Sequence, residues 1–496
     1  LFRDMNKIKR TFNFRELFLL GFLTLGCLSA LFAENSSPLS GSCKGYNVLL
    51  IVADALRPDY LGCYGCSDGI TPSIDELAGT GSTFRNAFCQ IPLTLPSFVS
   101  LLTSLYPYSH NVIVPMKDGL SSQIQTFPEV LKEYGYRTVW IGYPADLQTG
   151  SAKGLTRGFD ILKDIAGRGS PSNNENLFQM DATRDVLDFS TVVGEIGRLS
   201  ALQKPFFLLV HSYLPHEKFF PRYRFKNMFT EHLSSSFTSW LRLKRNQIKE
   251  RMFYEDRKAL CALLSDSQCA ALFHDEKSFS TGSILIETDL KYSLLKSKIS
   301  TLFFDRLEEE LLGLDPWFFS EYLSLLKSAI YELDRRLIGQ VIKTLKRKGL
   351  LDKTVIILTA DHGNEYREHG HIGHGRYVYD ESVRIPLVVF VPGYTGSQTV
   401  DAFVETIDIA PTILDLLAIP VPGQMQGESL LHFLSGTVTA STKECVYSQS
   451  VDGKLSVRNA DWKFIVLPDG RNELFNMMKD PKELENLSFT RKEEAI

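Results

Sequence analysis

The sequence has little of what marks several classes of protein. Its 54 lysine and arginine residues are outnumbered by 58 aspartate and glutamate residues, for a net charge of -4. It therefore lacks the basic field that drives nonspecific binding of nucleic acid, and no nucleic-acid partner is expected. Internal repeats and low-complexity tracts are absent. The eight cysteines do not form a paired CxxC zinc pattern, and the single CxxC, Cys63 and Cys66, fits small residues in a turn better than a redox or metal site.

The composition is that of a folded protein with a sizeable core. Of the 496 residues, 44% are hydrophobic and 23% are charged, and this balance excludes a disordered chain. The length exceeds that of one ordinary core, so we expect one large domain with smaller additions.

The first residues differ from the rest. Basic residues precede an uncharged run from Leu17 to Ala33, the order found in export signals. The run is about as long as the ~17 residues that a membrane-spanning helix needs, so an uncleaved anchor is the alternative to cleavage near Ala33. We predict a signal peptide or anchor over residues 1–33 and a linker over 34–45. The protein would then be exported, to the periplasm or outside the cell, or be held at the outer face of the inner membrane.

Apolar runs alternate with helical patterns along the main part of the chain. Residues 47–53, 205–210 and 354–359 read as strands buried on both faces, and each is followed by polar residues. Residues 328–347 have one apolar stripe and predict a helix. We predict an α/β fold, a three-layer α/β/α sandwich with a largely parallel sheet, over residues 46–435. In such sheets ligands bind beyond the carboxyl ends of the strands, where these polar residues fall.

Two segments stand apart from this alternation. Residues from about 225 to 327 are charged, aromatic and helical in periodicity, and we predict a helical insertion there. Its aromatic residues, Trp240 and Trp317 among them, either pack onto the main domain or contact a lipid or glycan. Residues 436–496 contain short strand-like runs and predict a small C-terminal antiparallel subdomain.

Thr94 opens a predicted helix. Threonine is a good N-cap, Pro96 fits the first turn, and an apolar stripe follows from Phe98. The hydroxyl of Thr94 would then lie at the positive end of the helix, which attracts a phosphate or sulfate group. By itself this segment fits an ordinary helix cap better than an anion site.

A second polar cluster follows the run that ends at residue 359. Asp361 and His362 come directly after it, and His369, His371 and His374 lie close behind. Adjacent carboxylate and imidazole groups suit Zn or Mn, whereas Ca or Mg would prefer an all-oxygen site. Solvated loop histidines are the alternative. With Asp54 at the end of the first strand, the chain offers three metal ligands and one hydroxyl that a metal could activate.

These segments together resemble the sulfatase-like family of the alkaline phosphatase superfamily. The resemblance covers most of residues 46–490 outside the insertion. The matching motifs, in order, are residues 47–54 with 61–65 and 71–78, 94–97 with 101–107, 215–216, 361–363 with 373–375, 406–412, and 425–427.

The resemblance implies a set of site residues. Asp54, Asp361 and His362 would bind one divalent metal ion together with Thr94, which would be the nucleophile. His216 and His374 would contact the substrate oxygens or the leaving group. Three further motif residues are expected to give structural support: Arg57, His110 and Asp380.

The sequence departs from the sulfatase pattern at the nucleophile. Sulfatases have a Cys or Ser that is oxidised to formylglycine, followed four positions later by Arg; here these positions hold Thr94 and Phe98. Oxidation of a threonine would give a ketone rather than the required aldehyde, so Thr94 would have to attack directly. The phosphate-handling relatives in the superfamily react in this way. Ala55 replaces a second metal-binding Asp, and the lysine that many sulfatases carry is missing from residues 135–143.

Three functions follow from these residues. The first is a metal-dependent hydrolase or transferase in which Thr94 attacks a phosphate ester or phosphonate. The second is an inert sulfatase-like protein that binds an anionic glycan or lipid, since the anion pocket has lost positive charge. The third is a sulfatase that uses an unmodified nucleophile. In each case the partner is a small-molecule, glycan or lipid ester, and membrane association would come through the N-terminal segment.

Overall fold

The computed structural model describes residues 37–113, 119–142, 154–164, 189–216, 306–394, 397–436 and 443–488, with a few positions between 240 and 251. The predicted signal or anchor, the linker up to residue 36 and most of the predicted insertion lie outside these ranges. Within them, no helix has both the length and the apolar character needed to cross a membrane.

An eight-stranded sheet forms the centre of the fold. Its strands, in chain order, are β1 (Asn47–Ala53), β2 (Ser82–Phe88), β3 (Arg137–Gly142), β4 (Ile161–Asp164), β5 (Phe206–Ser212), β6 (Thr354–Thr359), β9 (Arg384–Phe390) and β10 (Gln398–Glu405). Between β6 and β9 the chain forms a separate two-stranded sheet of β7 (Glu365–Tyr366) and β8 (Ile372–Gly373). The order across the sheet is β10-β2-β9-β6-β1-β5-β3-β4. Only β9 runs antiparallel to its neighbours β2 and β6 within this sheet, so the largely parallel sheet that the sequence predicts is confirmed.

Helices cover both faces of the sheet. They are α1 (Pro72–Ala78), α2 (Thr94–Thr103), α3 (Pro107–His110), α4 (Phe127–Glu133), α5 (Phe189–Leu199), α6 (Pro316–Glu332), α7 (Gly339–Arg347), α8 (Asp380–Val383), α9 (Ile409–Leu416) and α10 (Leu431–Leu434). Helices α5 and α7 pack on each other, while α2 packs on α3, α4 and α9. Every residue of β1, β5 and β6 is buried, as expected for strands between two helical layers.

The helix predicted at 328–347 is longer than the sequence pattern indicates. It begins at Pro316, where Asp315 caps it by accepting hydrogen bonds from the backbone of Trp317 and Phe318. A π-helical segment, Leu333–Ile338, joins α6 to α7. The first half of this helix also buries apolar side chains, among them Tyr322, Leu325 and Leu326, so the end of the predicted insertion belongs to this helix.

The part of the predicted linker that the structure describes is packed. Residues 37–45 form turns in which Leu39 and Cys43 are buried. Backbone N–H groups of Gly41 and Cys43 donate to the carbonyls of Asp415 and Leu416, both at 2.9 Å. Although the segment is polar in composition, Leu39 and Cys43 anchor it to the main domain.

The C-terminal residues form a separate antiparallel sheet, as predicted. Its strands are β11 (Val446–Gln449), β12 (Leu455–Arg458), β13 (Trp462–Val466) and β14 (Asn472–Asn476), in that order. This sheet is joined to the main domain through Lys463, which is fully buried and donates to Asp380 at 2.9 Å.

Candidate active site

Three adjacent strands bring the polar residues together at one edge of the sheet. Strand β1 lies between β5 and β6, with Val52 in register with His211 on one side and Thr359 on the other. Asp54 directly follows β1, and Asp361 follows β6 by one residue. Because parallel strands end at the same edge, side chains that are far apart in the sequence converge there.

Asp361 is held by backbone hydrogen bonds on one oxygen only. Its Oδ1 accepts from the N–H groups of Ala55 at 3.2 Å and His362 at 2.9 Å. Its Oδ2 lies 3.5 Å from Nε2 of His362 and accepts no hydrogen bond from the described residues. One oxygen of this carboxylate is thus left for a ligand.

Asp54 faces imidazole rings from two neighbouring strands. Its Oδ2 lies 3.2 Å from Nε2 of His211, and its Oδ1 lies 3.6 Å from Nε2 of His362. Both histidines and both aspartates are completely buried. Burial raises the pKa of Asp361, and burial together with the nearby His374 lowers the pKa of His362 well below its ordinary value.

This environment fits a divalent cation. Buried carboxylates carry a large desolvation cost unless a positive charge is present, and a neutral imidazole cannot supply that charge. Ligand atoms of Asp54, His211 and Asp361 lie within 4.8 Å of one another, close enough to share one ion. Mixed oxygen and nitrogen donors suit Zn or Mn better than Ca or Mg.

The hydroxyl of Thr94 lies beside this cluster. Its Oγ1 is 3.3 Å from Nε2 of His362 and 3.5 Å from Oδ2 of Asp54. The predicted N-cap role of Thr94 is wrong: Leu93 is the N-cap residue, and Thr94 is the first residue of α2. Because Thr94 makes no capping hydrogen bond, its hydroxyl is directed at the carboxylate and imidazole instead.

Ser97 fixes the start of α2 against the end of β6. Its Oγ donates to the carbonyl of Asp361 at 2.6 Å, and both groups are buried. The helix that carries Thr94 is therefore tied directly to the segment that carries the predicted metal ligands.

His216 and His374 form a pair on the more open side of the cluster. Their Nε2 atoms are 3.2 Å apart, and Nδ1 of His374 donates to the carbonyl of Pro92 at 3.2 Å. A carbonyl can only accept, so Nδ1 of His374 carries a proton, and in a neutral ring Nε2 of His374 is then an acceptor. The contact between the two Nε2 atoms is therefore made by one proton, which the two rings share. Nε2 of His216 also lies 3.9 Å from Oδ1 of Asp54. The side chain of His216 is 11% exposed, whereas that of Asp54 is fully buried. The pair therefore lies between the buried carboxylates and solvent.

All six residues predicted for the site thus lie within one cluster, but the prediction missed His211. It lies in β5, and its ring packs against Phe98 with ring centroids 4.5 Å apart. The sequence has a histidine at this strand end, but the face to which it points is set by the pairing of β5 with β1. A side chain at Gly142 would meet Cβ of His211 at 2.7 Å, so this glycine leaves room for the ring.

The departures from the sulfatase pattern have structural counterparts. Phe98, at the position of the family's arginine, is fully buried and stacks on Trp140 with centroids 5.5 Å apart. Ala55, at the position of the second aspartate, has a φ of 57°, in the left-handed region. Neither residue brings charge to the site.

The three residues expected to give support contact other parts of the protein. Arg57 donates to the carbonyl of Asn364 at 3.0 Å. The buried His110 lies 3.0 Å from the hydroxyl of Ser100. Asp380 belongs to the ion pair with Lys463 described above.

Comparison with known proteins identifies the family of this chain. A family model described as Sulfatase matches residues 46–419, and one described as N-sulphoglucosamine sulphohydrolase, C-terminal, matches residues 367–496. The chain is 24% identical to an N-acetylglucosamine-6-O-sulfatase of Bacteroides thetaiotaomicron, over 94% of this chain and 86% of the relative. It is also 24% identical to arylsulfatase K of Bos taurus, over 89% of this chain and 76% of the relative.

Solved structures share the fold. A protein crystallised with its substrate D-glucosamine-2-N,6-O-disulfate has a TM-score of 0.64 at 22% identity, over 91% of this chain and 95% of the other. The phosphonate monoester hydrolase of Agrobacterium radiobacter has a TM-score of 0.64 at 21% identity, over 91% and 93%. Because the family match spans most of the chain, the protein belongs to the sulfatase family of the alkaline phosphatase superfamily and is a hydrolytic enzyme of that family.

Proposed function

We propose that the protein cleaves a phosphate ester or phosphonate by direct attack of Thr94, with one divalent metal ion bound by Asp54, Asp361 and His362. The observation that carries this proposal is the position of the Thr94 hydroxyl, 3.3 Å from the His362 ring and 3.5 Å from the Asp54 carboxylate. When bound, a divalent ion would lower the pKa of that hydroxyl and neutralise charge on the substrate oxygens.

The reaction would proceed in two displacements. The hydroxyl proton of Thr94 leaves to solvent, and Oγ1 forms a bond to phosphorus as the bond from phosphorus to the leaving oxygen breaks, which leaves a phospho-threonine. Water or an acceptor alcohol then attacks the same phosphorus, the bond to Oγ1 breaks, and Oγ1 takes up a proton from solvent. Hydrolysis and group transfer differ only in this acceptor.

His216 and His374 would handle protons and orient the substrate. The proton shared between their Nε2 atoms can pass to the leaving oxygen in the first displacement. The same pair can take a proton from the attacking water or alcohol in the second. The carbonyl of Pro92 fixes the ring of His374 through Nδ1, so its Nε2 stays directed at His216.

Two features support phosphorus over sulfur. A threonine cannot yield the aldehyde of formylglycine, and the position of the family's arginine holds Phe98, which is buried against Trp140. The site instead has the imidazoles of His211, His216, His362 and His374 around the two carboxylates. Relatives named for sulfated sugars and for phosphonate monoesters suggest a small or sugar-linked ester as the substrate class.

The nucleophile is tested with two matched substitutions on one helix. Thr94→Val should lower kcat/KM on bis(p-nitrophenyl) phosphate and p-nitrophenyl phenylphosphonate by roughly 10³-fold or more, because it removes the hydroxyl that forms the covalent intermediate. Thr103→Val is the control: its hydroxyl donates to Val99 at the far end of the same helix. It should stay within about threefold of wild type, a change of less than one kcal/mol.

A second measurement identifies the atom that is attacked. Rapid quenching followed by peptide mass spectrometry should find the phosphoryl group on Thr94. Unchanged turnover in Thr94→Val, or a label on another residue, would overturn the proposal. Faster turnover of p-nitrophenyl sulfate than of the phosphorus esters, with Thr94 still required, would favour a sulfatase with an unmodified nucleophile.

A further inference from the structure

A second group of metal-ligating side chains lies in the loop beyond the active site. It consists of Glu365, His369 and Glu381, and we call it the Glu365 cluster. One ligand atom from each of the three lies within 4.8 Å of the others. Glu365 is buried, and the side chains of His369 and Glu381 are only 10% and 9% exposed. None of these residues has a part in the proposed reaction.

Glu365 has a carboxylate oxygen without a partner. Its Oε1 accepts from the hydroxyl of Ser382 at 3.1 Å, but its Oε2 accepts no hydrogen bond from the described part of the chain. Burial, with the neighbouring charge of Glu381, raises the pKa of Glu365 to about 8. A buried carboxylate oxygen without a donor is costly and needs an explanation, and a cation supplies one.

His369 is held in the geometry of a metal ligand. Its Nε2 lies 3.0 Å from the carbonyl of Glu483, so Nε2 carries the proton and donates it. Its Nδ1 contacts Oε1 of Glu381. Metal-bound histidines nearly always donate their second ring N–H to a carbonyl or carboxylate in this way. The ring of Tyr379 stacks on that of His369, with centroids 3.7 Å apart, and fixes its orientation.

We propose that the Glu365 cluster binds a second divalent metal ion of the Zn or Mn class, separate from the ion beside Thr94. Two carboxylates and one imidazole are a donor set that these ions accept, whereas Ca and Mg prefer oxygen alone. In the metal-free protein Nδ1 of His369 also carries a proton, toward Glu381, and the carboxyl of Glu365 carries one because its pKa is raised. On binding, both protons leave to solvent and these two atoms form coordinate bonds to the metal instead.

An ion here would brace the loop that carries the active-site residues. The N–H groups of Gly363 and Asn364 donate to the carbonyls of Ser382 and Glu381, at 2.9 and 2.8 Å. The cluster thus lies where the segment after β6 meets α8. A metal bound to both sides would hold Asp361 and His362 in place without contacting the substrate.

Metal content separates this site from the active site. Purified protein would be loaded with Zn²⁺ or Mn²⁺, desalted, and analysed by inductively coupled plasma mass spectrometry, together with His369→Gln, Glu381→Gln and the double variant Asp361→Asn/His362→Gln. His371→Gln is the matched control, because His371 lies in the same loop and stacks on Tyr377. We expect about two ions per chain in wild type and control, and about one in each variant.

The possible outcomes distinguish the two sites. A single ion in wild type that is lost in Asp361→Asn/His362→Gln but kept in His369→Gln would overturn the second site and leave the first. A single ion in wild type that is lost in His369→Gln but kept in Asp361→Asn/His362→Gln would overturn the first site and support the second. Wild type without any bound ion would overturn both sites. Because the cluster variants could unfold, circular dichroism is recorded for each. Wild type is also heated with and without chelator, and the double variant, which keeps only the second site, should still lose several degrees of Tm when chelated.

Discussion

Two buried groups of carboxylates in this protein are neutralised in different ways. In the active site, Asp54 and Asp361 are completely buried, and the groups beside them include the imidazoles of His211 and His362, the hydroxyl of Thr94 and backbone N–H groups. Beneath the C-terminal sheet, Asp380 and Glu483 face the buried ammonium group of Lys463, at 2.9 and 2.7 Å. The protein thus holds an ammonium group against the carboxylates in one place, and imidazole, hydroxyl and backbone N–H groups beside them in the other.

The pKa directions of the two groups follow this difference. Burial raises the pKa of Asp361 and outweighs the opposing effects of His211 and of the backbone hydrogen bonds. Burial also opposes ionisation of Asp380, but Lys463 and Arg458 outweigh it and hold its pKa below the ordinary value. A buried carboxylate paired with a resident ammonium is a structural device, and one without such a partner marks a site for a ligand.

The largest expected effect comes from Asp361→Asn. Asparagine keeps the oxygen that accepts from Ala55 and His362 but removes the charge. We expect kcat/KM to fall by about 10³-fold or more, some 4 kcal/mol, and bound metal at this site to be lost. In metal-free protein the free energy of unfolding should stay the same or rise, because an unneutralised buried charge is gone. If Asp361→Asn lowered the free energy of unfolding as much as Lys463→Met does, the difference between the two groups of carboxylates would be contradicted.

Lys463→Met should behave in the opposite way. Removing the ammonium leaves Asp380 and Glu483 buried without their main partner, which costs about 3–5 kcal/mol in the free energy of unfolding. Turnover per folded molecule should change little. Lys346→Met is the control, since its pair with Glu76 at 2.9 Å is exposed and worth about 1 kcal/mol or less. Equal denaturant midpoints for the two variants would contradict this interpretation.

The smallest effect concerns a buried histidine with no charged partner. His110 is enclosed by α2 and α3, and burial lowers its pKa to about 3. Its contribution to stability is present above the unfolded pKa of about 6.5 and is lost as pH falls towards 3, because the unfolded chain binds the proton first. The slope is at most about 1.4 kcal/mol per pH unit from this residue.

His110→Asn tests this directly. Asparagine cannot be protonated and can still accept from the backbone of Val112, as Nδ1 of His110 does at 3.0 Å. The variant should therefore lose less stability than wild type between about pH 6.5 and 4, measured by urea unfolding at several pH values. Parallel pH profiles for the two proteins would contradict the prediction.

Much of the site could be predicted because its motifs are local. The apolar runs that end near Asp54 and Asp361 follow from strands buried on both faces, and Thr94 follows from a helix start with Pro96 close behind. The sequence interpretation placed the start of α6 too late, because it began at residue 328, whereas Tyr322, Leu325 and Leu326 are buried as well and the cap is Asp315. Nor could the sequence indicate that Leu93 rather than Thr94 caps α2, because that depends on the backbone angles at one residue.

The sequence by itself indicated the alternation of strands and helices, a set of candidate metal ligands at the strand ends, and the loss of the formylglycine and arginine positions. The tertiary structure alone decided which of these side chains meet. His211 reaches Asp54 across 157 positions of sequence, and His374 reaches His216 across 158. Such contacts depend on the register of neighbouring strands, and the sequence of either strand alone does not contain that register.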